Sequence, residues 1–517
     1  MIPENIINKI RENFVLNKYE EVIQSCEALM QDYPEQGILY NFAGVSCQAT
    51  KNFSKSINFL KKAIETEPNN ISYMNNLANS YTSIRKYENA EKIYIKALSI
   101  NKNNKIILRN FANFKKRVSD YKFAIELYKK LVKIEKNNPS IIHDLAECYQ
   151  AIGNFLKSNK ILNENIKKYP NFVKSHYAKS ITTKYSKNEN HLNQMLELTK
   201  INKLNIEDRI NINYAIGKAY EDKKDFENSF KYLDKANKLQ YEISSFSIDK
   251  LSDLFDKIKK YFQKNKLNNL KKDFDKRKMI FICGLPRSGT TLASQIITSH
   301  SKVESVGEIS YLKNLIEQHF YEEDKISLKK VELELEKDKN ELNNLFFDAV
   351  QFFLKGKKLN YIVDKTPSNC IWIGFIKILF PNSHIIYCKR NSKDNFLSLF
   401  KNNLLHTQNA GWACSPELLI KYIKMIDDLM SFWKSLDKNL FYEISYEKLI
   451  ENPKEEIEML LKYNNLEWED NCLNFHKNKK TSIKTLSLHQ ARQPIYKSSI
   501  KSYENYSKYL GKYFDKL

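Results

Sequence analysis

An aromatic residue returns every 34 positions through the first part of this 517-residue chain, at Tyr19, Phe53, Tyr87, Tyr121 and Phe155. Ala78, Ala112 and Ala146 keep the same interval, as do Ala63 and Ala97, with Leu29 and Leu131 in their register. Pro34, Pro68 and Pro170 mark a third phase, in which Lys102 and Lys136 hold the intermediate positions. Three phases locked to one period indicate a structural unit repeated in space, and the physics fits a pair of helices joined by a turn. Small alanines let two helices approach closely, and the aromatic fills the gap between neighbouring pairs. Proline or an Asn-Asn pair, as in EPNN and NKNN, is expected to end the second helix.

This pattern resembles the tetratricopeptide-repeat family, over roughly residues 4–240. It becomes irregular around 171–205 and returns at YAIGKAYEDKKDFENSFKYLDKANKL, where Phe226 and Ala236 repeat the offset of Phe53 and Ala63. Such solenoids present a concave groove for peptides or partner proteins, or serve dimerisation or a neighbouring domain. After them, Leu251, Leu254, Phe255 and Ile258 follow helical spacing, so residues 241–277 read as a connecting helix with a charged tail.

Composition narrows the function without naming it. The chain carries 84 Lys and Arg against 61 Asp and Glu, a net charge of +23, but the lysines are spread through every segment and read as solvated helix faces. A nucleic-acid partner would rest on that total alone and is not expected. The 8 cysteines form no C-x-x-C pair, so no zinc site is expected. They read as thiols of a reducing compartment, hence a cytoplasmic protein. No apolar run is long enough to span a membrane, and the N-terminal MIPENIINKIRENF lacks the apolar core of a signal peptide.

The texture changes at Met279. MIFIC is a short continuous apolar run, as expected of a buried parallel strand. GLPRSGTTLASQIITSH follows, with Gly284 and Gly289 at the spacing of a phosphate loop and Leu292, Ile296 and Ile297 on one face of a helix. Strand, tight loop and helix N-terminus together make an anion site of inward-pointing amides. Thr290 stands where a nucleotide-hydrolysing loop carries its lysine, and the cation sits inside the loop at Arg287. A guanidinium there can clamp phosphate or sulfonate oxygens as a fork, with hydroxyls from Ser288, Thr290 and Thr291 beside it.

PRSGTTL resembles the 5′-phosphosulfate loop of sulfotransferases that use 3′-phosphoadenosine 5′-phosphosulfate (PAPS). Residues 278–517 are similar to tyrosylprotein sulfotransferases and to bacterial proteins that fuse tetratricopeptide repeats to such a domain. The resemblance implies further residues. In HIIYCKRNSKDNFLSLFKNNL, Arg390 and Ser398 match the pair that binds the nucleotide 3′-phosphate. In VGEISYL, Glu308 matches the general base, although the family motif has two consecutive glutamates and here Ile309 follows. Lys365 in YIVDKTPSN matches the lysine near the bridging oxygen, and Ser487 in TLSLHQARQPIYKSS belongs to the segment closing over the nucleotide. Gln493, Tyr496 and Lys501 are further candidates there, and Tyr446 is offered as the adenine contact. Lys401 and Asn402 stand where the family has a third, basic 3′-phosphate contact.

The expected architecture is an N-terminal all-α tetratricopeptide-repeat solenoid (1–240), the connecting helix (241–277) and a C-terminal α/β P-loop-like sulfotransferase domain with a central parallel sheet (278–517). Strands are expected near 279–283, 302–306, 360–364, 384–389 and 440–445, with phosphate ligands at their C-terminal ends. The expected activity is sulfonate transfer from PAPS to an acceptor hydroxyl; the repeats favour a protein or peptide as acceptor by analogy, and a glycan, a lipid head group or a small metabolite stays open. The transfer leaves 3′-phosphoadenosine 5′-phosphate and needs no metal. The sequence leaves the oligomeric state open, a homodimer being one option. The alternatives are a repeat scaffold with a non-catalytic nucleotide-binding domain, and a P-loop kinase or NTPase, which Thr290 disfavours.

Overall fold

The computed structural model describes residues 2–186, 190–264, 278–323, 325–354, 361–404, 410–478, 490–497 and 499–517. The chain divides into two compact units, Met1–Cys148 and Tyr149–Leu517.

Helices in the first unit come in pairs. The periodic aromatic is the first residue of the second helix in each pair: Tyr19–Asp32, Phe53–Thr66, Tyr87–Ile100 and Tyr121–Ile134. Two residues earlier the backbone is left-handed, at Asn17 (φ 59°), Lys51 (φ 62°), Arg85 (φ 62°) and Ser119 (φ 61°). This one-residue reversal sets the tight turn between the helices. No glycine occupies it, so composition gives no sign of it.

The Asn-Asn pairs act differently from expectation. Asn70 and Asn104 each accept from two amides in the first turn of the helix that follows. The second asparagine therefore starts the next repeat instead of ending the previous one. Ala63, Ala78, Ala97 and Ala112 are fully buried at the helix contacts. The buried tyrosines between them keep their hydroxyls satisfied in register: Tyr94 donates to Asn79 Oδ1 at 2.7 Å, and Tyr128 to Asn113 Oδ1 at 2.6 Å.

The second unit begins with more helices: Phe155–Lys168, Val173–Thr182, Asn190–Leu198, Ile206–Asp222, Phe226–Glu242 and Ile248–Lys264. The helices of 10 and 9 residues at 173–182 and 190–198 account for the lapse of the period there. A five-stranded sheet follows, built from β1 (Lys278–Gly284), β2 (Val303–Gly307), β3 (Tyr361–Lys365), β4 (His384–Lys389) and β5 (Tyr442–Ser445). All pairings in it are parallel and the order is β2-β3-β1-β4-β5. Alternate residues of β1 feed opposite cores: Met279, Phe281 and Cys283 on one face, Ile280 and Ile282 on the other. The sheet is thus covered on both sides, as continuous apolar strands require.

The last repeat helices pack on this domain. Phe230 stacks on Tyr509 at 4.9 Å, and Ser229 Oγ lies 2.7 Å from the buried Tyr506 hydroxyl. Asn237 Nδ2 donates to the carbonyl of Phe400 at 2.9 Å, at the C-terminus of the helix Ser392–Phe400. Gln240 Nε2 reaches Asn403 Oδ1 at 3.1 Å.

Candidate active site

Each of the five strands ends on a candidate residue. Glu308 follows β2, Lys365 closes β3, the loop 285–289 follows β1, Arg390 follows β4 and Tyr446 follows β5. Because the strands are parallel and ordered β2-β3-β1-β4-β5, these groups lie in that sequence along one edge of the sheet. The carboxylate and lysine stand on one side of the phosphate loop, and the arginine and tyrosine on the other. The crevice at the carboxyl ends, where the order reverses about β1, is the general ligand position of open α/β sheets.

Gly289 (φ 101°) caps the helix Thr290–Thr298, whose first two residues, Thr290 and Thr291, are buried. A Cβ on Gly289 would lie 2.8 Å from the Tyr446 ring, and one on Gly284 would lie 2.5 Å from the Cys388 carbonyl oxygen. Both glycines are needed for the close approach of the loop to β4 and to Tyr446. Between them Arg287 holds a left-handed φ of 68°. Ser288 Oγ is buried with no hydrogen-bond partner among the described residues.

Two guanidiniums meet at this loop. Arg287 Nε donates to Ser398 Oγ at 3.1 Å. Arg390 Nη1 donates to the Arg287 carbonyl at 3.0 Å and Nη2 to the Ser499 carbonyl at 2.7 Å, while its Nε has no partner among the described residues. Its guanidinium lies over the Tyr446 ring at 4.7 Å, and the Tyr446 hydroxyl is 2.8 Å from Ser499 Oγ. Loss of solvent, and then the neighbouring Arg390, pull the Arg287 guanidinium down to about 10. Two like charges held together, with an orphaned Ser288 hydroxyl and an orphaned Arg390 Nε beside them, fit an anion carrying more than one charge.

On the other side of the loop, Lys365 Nζ is in ion-pair contact with Glu308 Oε1. Asp364, the preceding residue of β3, is fully buried and accepts from Thr366 Oγ1 at 2.6 Å. Burial pushes its carboxyl up to about 6.

Most of the residues singled out in the sequence therefore lie along one edge of the sheet, where Arg287, Gly289, Thr290, Thr291, Arg390 and Tyr446 line one cleft and Glu308 and Lys365 pair beside β2 and β3, outside that lining. Ser487 lies outside the described residues. Gln493 and Tyr496 line the cleft beside Arg287, Arg390 and Tyr446. Lys401 and Asn402 do not face it: Lys401 Nζ pairs with Glu221 at 2.5 Å, and Asn402 Nδ2 donates to the Ser398 carbonyl at 2.7 Å. Lys501 contributes its backbone, donating to Asp394 Oδ2 at 2.7 Å. Sequence reasoning did not single out Ser499, the last residue of TLSLHQARQPIYKSS, which holds Arg390 through its carbonyl. It also missed Asp394, which ties Lys501, Ser502 and Tyr503 to the helix bearing Ser398. Among the described residues no cluster of His, Cys, Asp and Glu could hold a metal, no helix is long and apolar enough to cross a membrane, and all eight cysteines are buried and free.

The fold defines a helical-repeat protein with a parallel-sheet α/β domain, and comparison with known proteins makes this specific. Residues 279–470 match the sulfotransferase family, and residues 38–70, 71–104 and 210–242 match the tetratricopeptide repeat. The chain joins tetratricopeptide repeats to a sulfotransferase-family domain. It is 32% identical over 312 residues to an uncharacterised protein of Aquifex aeolicus, covering 58% of this chain and 40% of that one. A putative protein-tyrosine sulfotransferase of Caenorhabditis briggsae is 26% identical over 207 residues, 38% of this chain and 69% of that protein. Protein-tyrosine sulfotransferase 2 of Gallus gallus is 23% identical over 203 residues, 38% of this chain and 53% of that protein. The match to the Aquifex protein thus spans well under half of that protein's length.

Proposed function

We propose that this chain transfers a sulfonate group from PAPS to an acceptor hydroxyl, with residues 278–517 as the transferase domain, 241–277 as the connection and the repeats of 1–240 recruiting a protein or peptide acceptor. The observation that carries this reading is the row of groups along the sheet edge. A paired carboxylate and lysine lie on one side of the phosphate loop, and a double-arginine site with an aromatic face on the other.

The donor is a substrate, and the residues that fit it divide by charge. Arg287, Ser288, Gly289, Thr290 and Thr291 hold the 5′-phosphosulfate, through loop amides and hydroxyls at a helix N-terminus. Arg390 and Ser398 hold the 3′-phosphate, and Tyr446 carries the adenine. The acceptor oxygen attacks sulfur in line. The new S–O bond forms as the bond from sulfur to the bridging oxygen breaks, Glu308 takes the acceptor proton, and 3′-phosphoadenosine 5′-phosphate leaves. Lys365, joined by Ser487, stabilises the charge that develops on the bridging oxygen. Catalysis is positioning and electrostatics, without a covalent enzyme intermediate or a metal. In this reading the protein works in the cytoplasm and has no nucleic-acid partner.

The test is calorimetric titration of the full chain with 3′-phosphoadenosine 5′-phosphate and, separately, ADP. Selective binding of the bisphosphate that is lost in Arg390→Ala supports the donor site and leads to an acceptor screen with labelled PAPS. Equal binding of ADP, or no binding of either, overturns the reading.

A further inference from the structure

The left-handed turn that precedes each periodic aromatic is filled by a residue with a side chain at Asn17, Lys51, Arg85, Ser119 and Lys224. At the equivalent place before Phe155 stands Gly153, with φ 81°. The turn itself does not call for glycine, since the same chain forms it with lysine, serine and asparagine. At Gly153 a neighbour distant in sequence takes the space that a side chain would enter. A Cβ on Gly153 would sit 2.9 Å from Arg492 Nε and 3.0 Å from its Cδ and Cζ. The guanidinium lies on the bare turn and donates from Nη2 to the Ala151 carbonyl at 3.0 Å. Burial there lowers the arginine's pKa.

Arg492 belongs to a segment with two faces. Its neighbours Ala491, Gln493, Pro494, Ile495 and Tyr496 line the cleft beside Arg287, Arg390 and Tyr446, while Arg492 itself runs to the repeat turn. Further along the chain, Ser499 is fixed by Arg390 and Tyr446, and Lys501 to Tyr503 by Asp394. The stretch that walls the cleft is thus fastened downstream to the transferase domain and near its start to a repeat.

We propose that Arg492 is a positioning residue for the donor site. Docked in the cradle that Gly153 leaves open, it holds residues 491–497 against the nucleotide, and the turn 151–154 thereby becomes part of the donor-binding structure. The inference rests on the donor reading given above. It adds that this repeat is not replaceable by one with an ordinary turn residue.

The experiment measures 3′-phosphoadenosine 5′-phosphate affinity of the full chain by calorimetry for the wild type, Arg492→Ala, Arg492→Lys, Gly153→Asn and the double variant Gly153→Asn/Arg492→Ala. Asparagine suits the left-handed turn, as Asn17 does, yet its side chain fills the cradle. Arg492→Ala and Gly153→Asn are each expected to weaken binding about tenfold. The double variant is expected to be no weaker than Arg492→Ala, because both substitutions remove one contact. Lysine at 492 recovers part of the loss. Circular dichroism reports folding, and Arg492→Lys with Gly153→Asn carries the test if the alanine variant does not fold. Affinity within about twofold of wild type in both single variants overturns the proposal, as do losses that add in the double variant. A wild type that binds no bisphosphate overturns the donor reading itself, and the proposal with it.

Discussion

Lys365 and Glu308 are in direct contact across the adjacent C-terminal ends of β2 and β3, the lysine almost wholly buried and the carboxylate one-third exposed. The side chains assigned to opposite ends of the reaction, proton removal from the acceptor and charge on the leaving oxygen, are therefore a pair before any substrate arrives. Removing one leaves the other charged without its partner.

Glu308→Gln keeps the shape and a hydrogen-bonding oxygen but cannot take a proton. Turnover should fall by about 10²–10⁴-fold, the usual contribution of a positioned base. Affinity for 3′-phosphoadenosine 5′-phosphate should stay within about threefold, because in the proposed binding mode the phosphates are held by the loop, Arg390 and Ser398 and not by Glu308. Transfer of label from PAPS to an acceptor found by screening gives the first number, and calorimetry the second. A variant that turns over like the wild type removes Glu308 from the mechanism.

Gly289→Ala brings a methyl group to 2.8 Å from the Tyr446 ring at a φ of 101°. The loop must shift or the ring must leave Arg390, and either disturbs the proposed donor site. Strain of this kind costs about 1–3 kcal/mol. Bisphosphate affinity should fall about tenfold or more. A crystal structure of the variant with unchanged affinity and an unmoved ring would show the contact to be slack.

Much of this was legible in the sequence, for identifiable reasons. The 34-residue period and the apolar runs of β1, β3 and β4 report burial, which periodicity records. The phosphate loop is contiguous, so Arg287 and the residues after it can be found by spacing alone. Glu308, Lys365 and Tyr446 came from resemblance, since a single glutamate, lysine or tyrosine at a strand end has no local signal. The left-handed turns went unseen because Asn, Lys, Arg and Ser occupy them. Ser499 acts through a backbone carbonyl and Arg492 through a turn more than three hundred residues away, and neither relationship leaves a pattern in the chain. An Asn-Asn pair marks a helix boundary without telling which side it serves, because a cap and a terminator share the same residue type.

Lys401→Ala separates a phosphate contact from a structural one. Its ammonium pairs with Glu221 on the repeat helix Ile206–Asp222. The substitution should cost about 1 kcal/mol of stability, as expected for a partly exposed pair. It should leave bisphosphate affinity within about threefold. Thermal denaturation and calorimetry check the two halves. A tenfold loss of affinity would return Lys401 to the 3′-phosphate site.

The two buried histidines of the irregular repeat give a pH prediction with a definite sign. His176 Nε2 lies 2.8 Å from the Pro170 carbonyl, which can only accept, so the neutral ring carries its proton there. His176 Nδ1 is then an acceptor for His191 Nε2–H at 3.1 Å, and His191 Nδ1 accepts from the Tyr185 hydroxyl at 2.7 Å. Every atom of the relay is used only while both rings are neutral. Burial pushes His176 down to about 4, and burial with Lys179 and His176 nearby pushes His191 down to about 3. The unfolded chain takes up protons from near its ordinary 6.5, so the stabilisation is fully present above that pH. It is lost as pH falls toward about 4, at up to about 1.4 kcal/mol per pH unit for each ring. His191→Gln can donate to His176 and accept from Tyr185 without titrating. Relative to this variant, the wild type should lose urea resistance between pH 7 and pH 5, with earlier amide exchange in the helix Asn190–Leu198. Parallel stability profiles for the two proteins would mean that the rings are solvated and that the relay does not hold in solution.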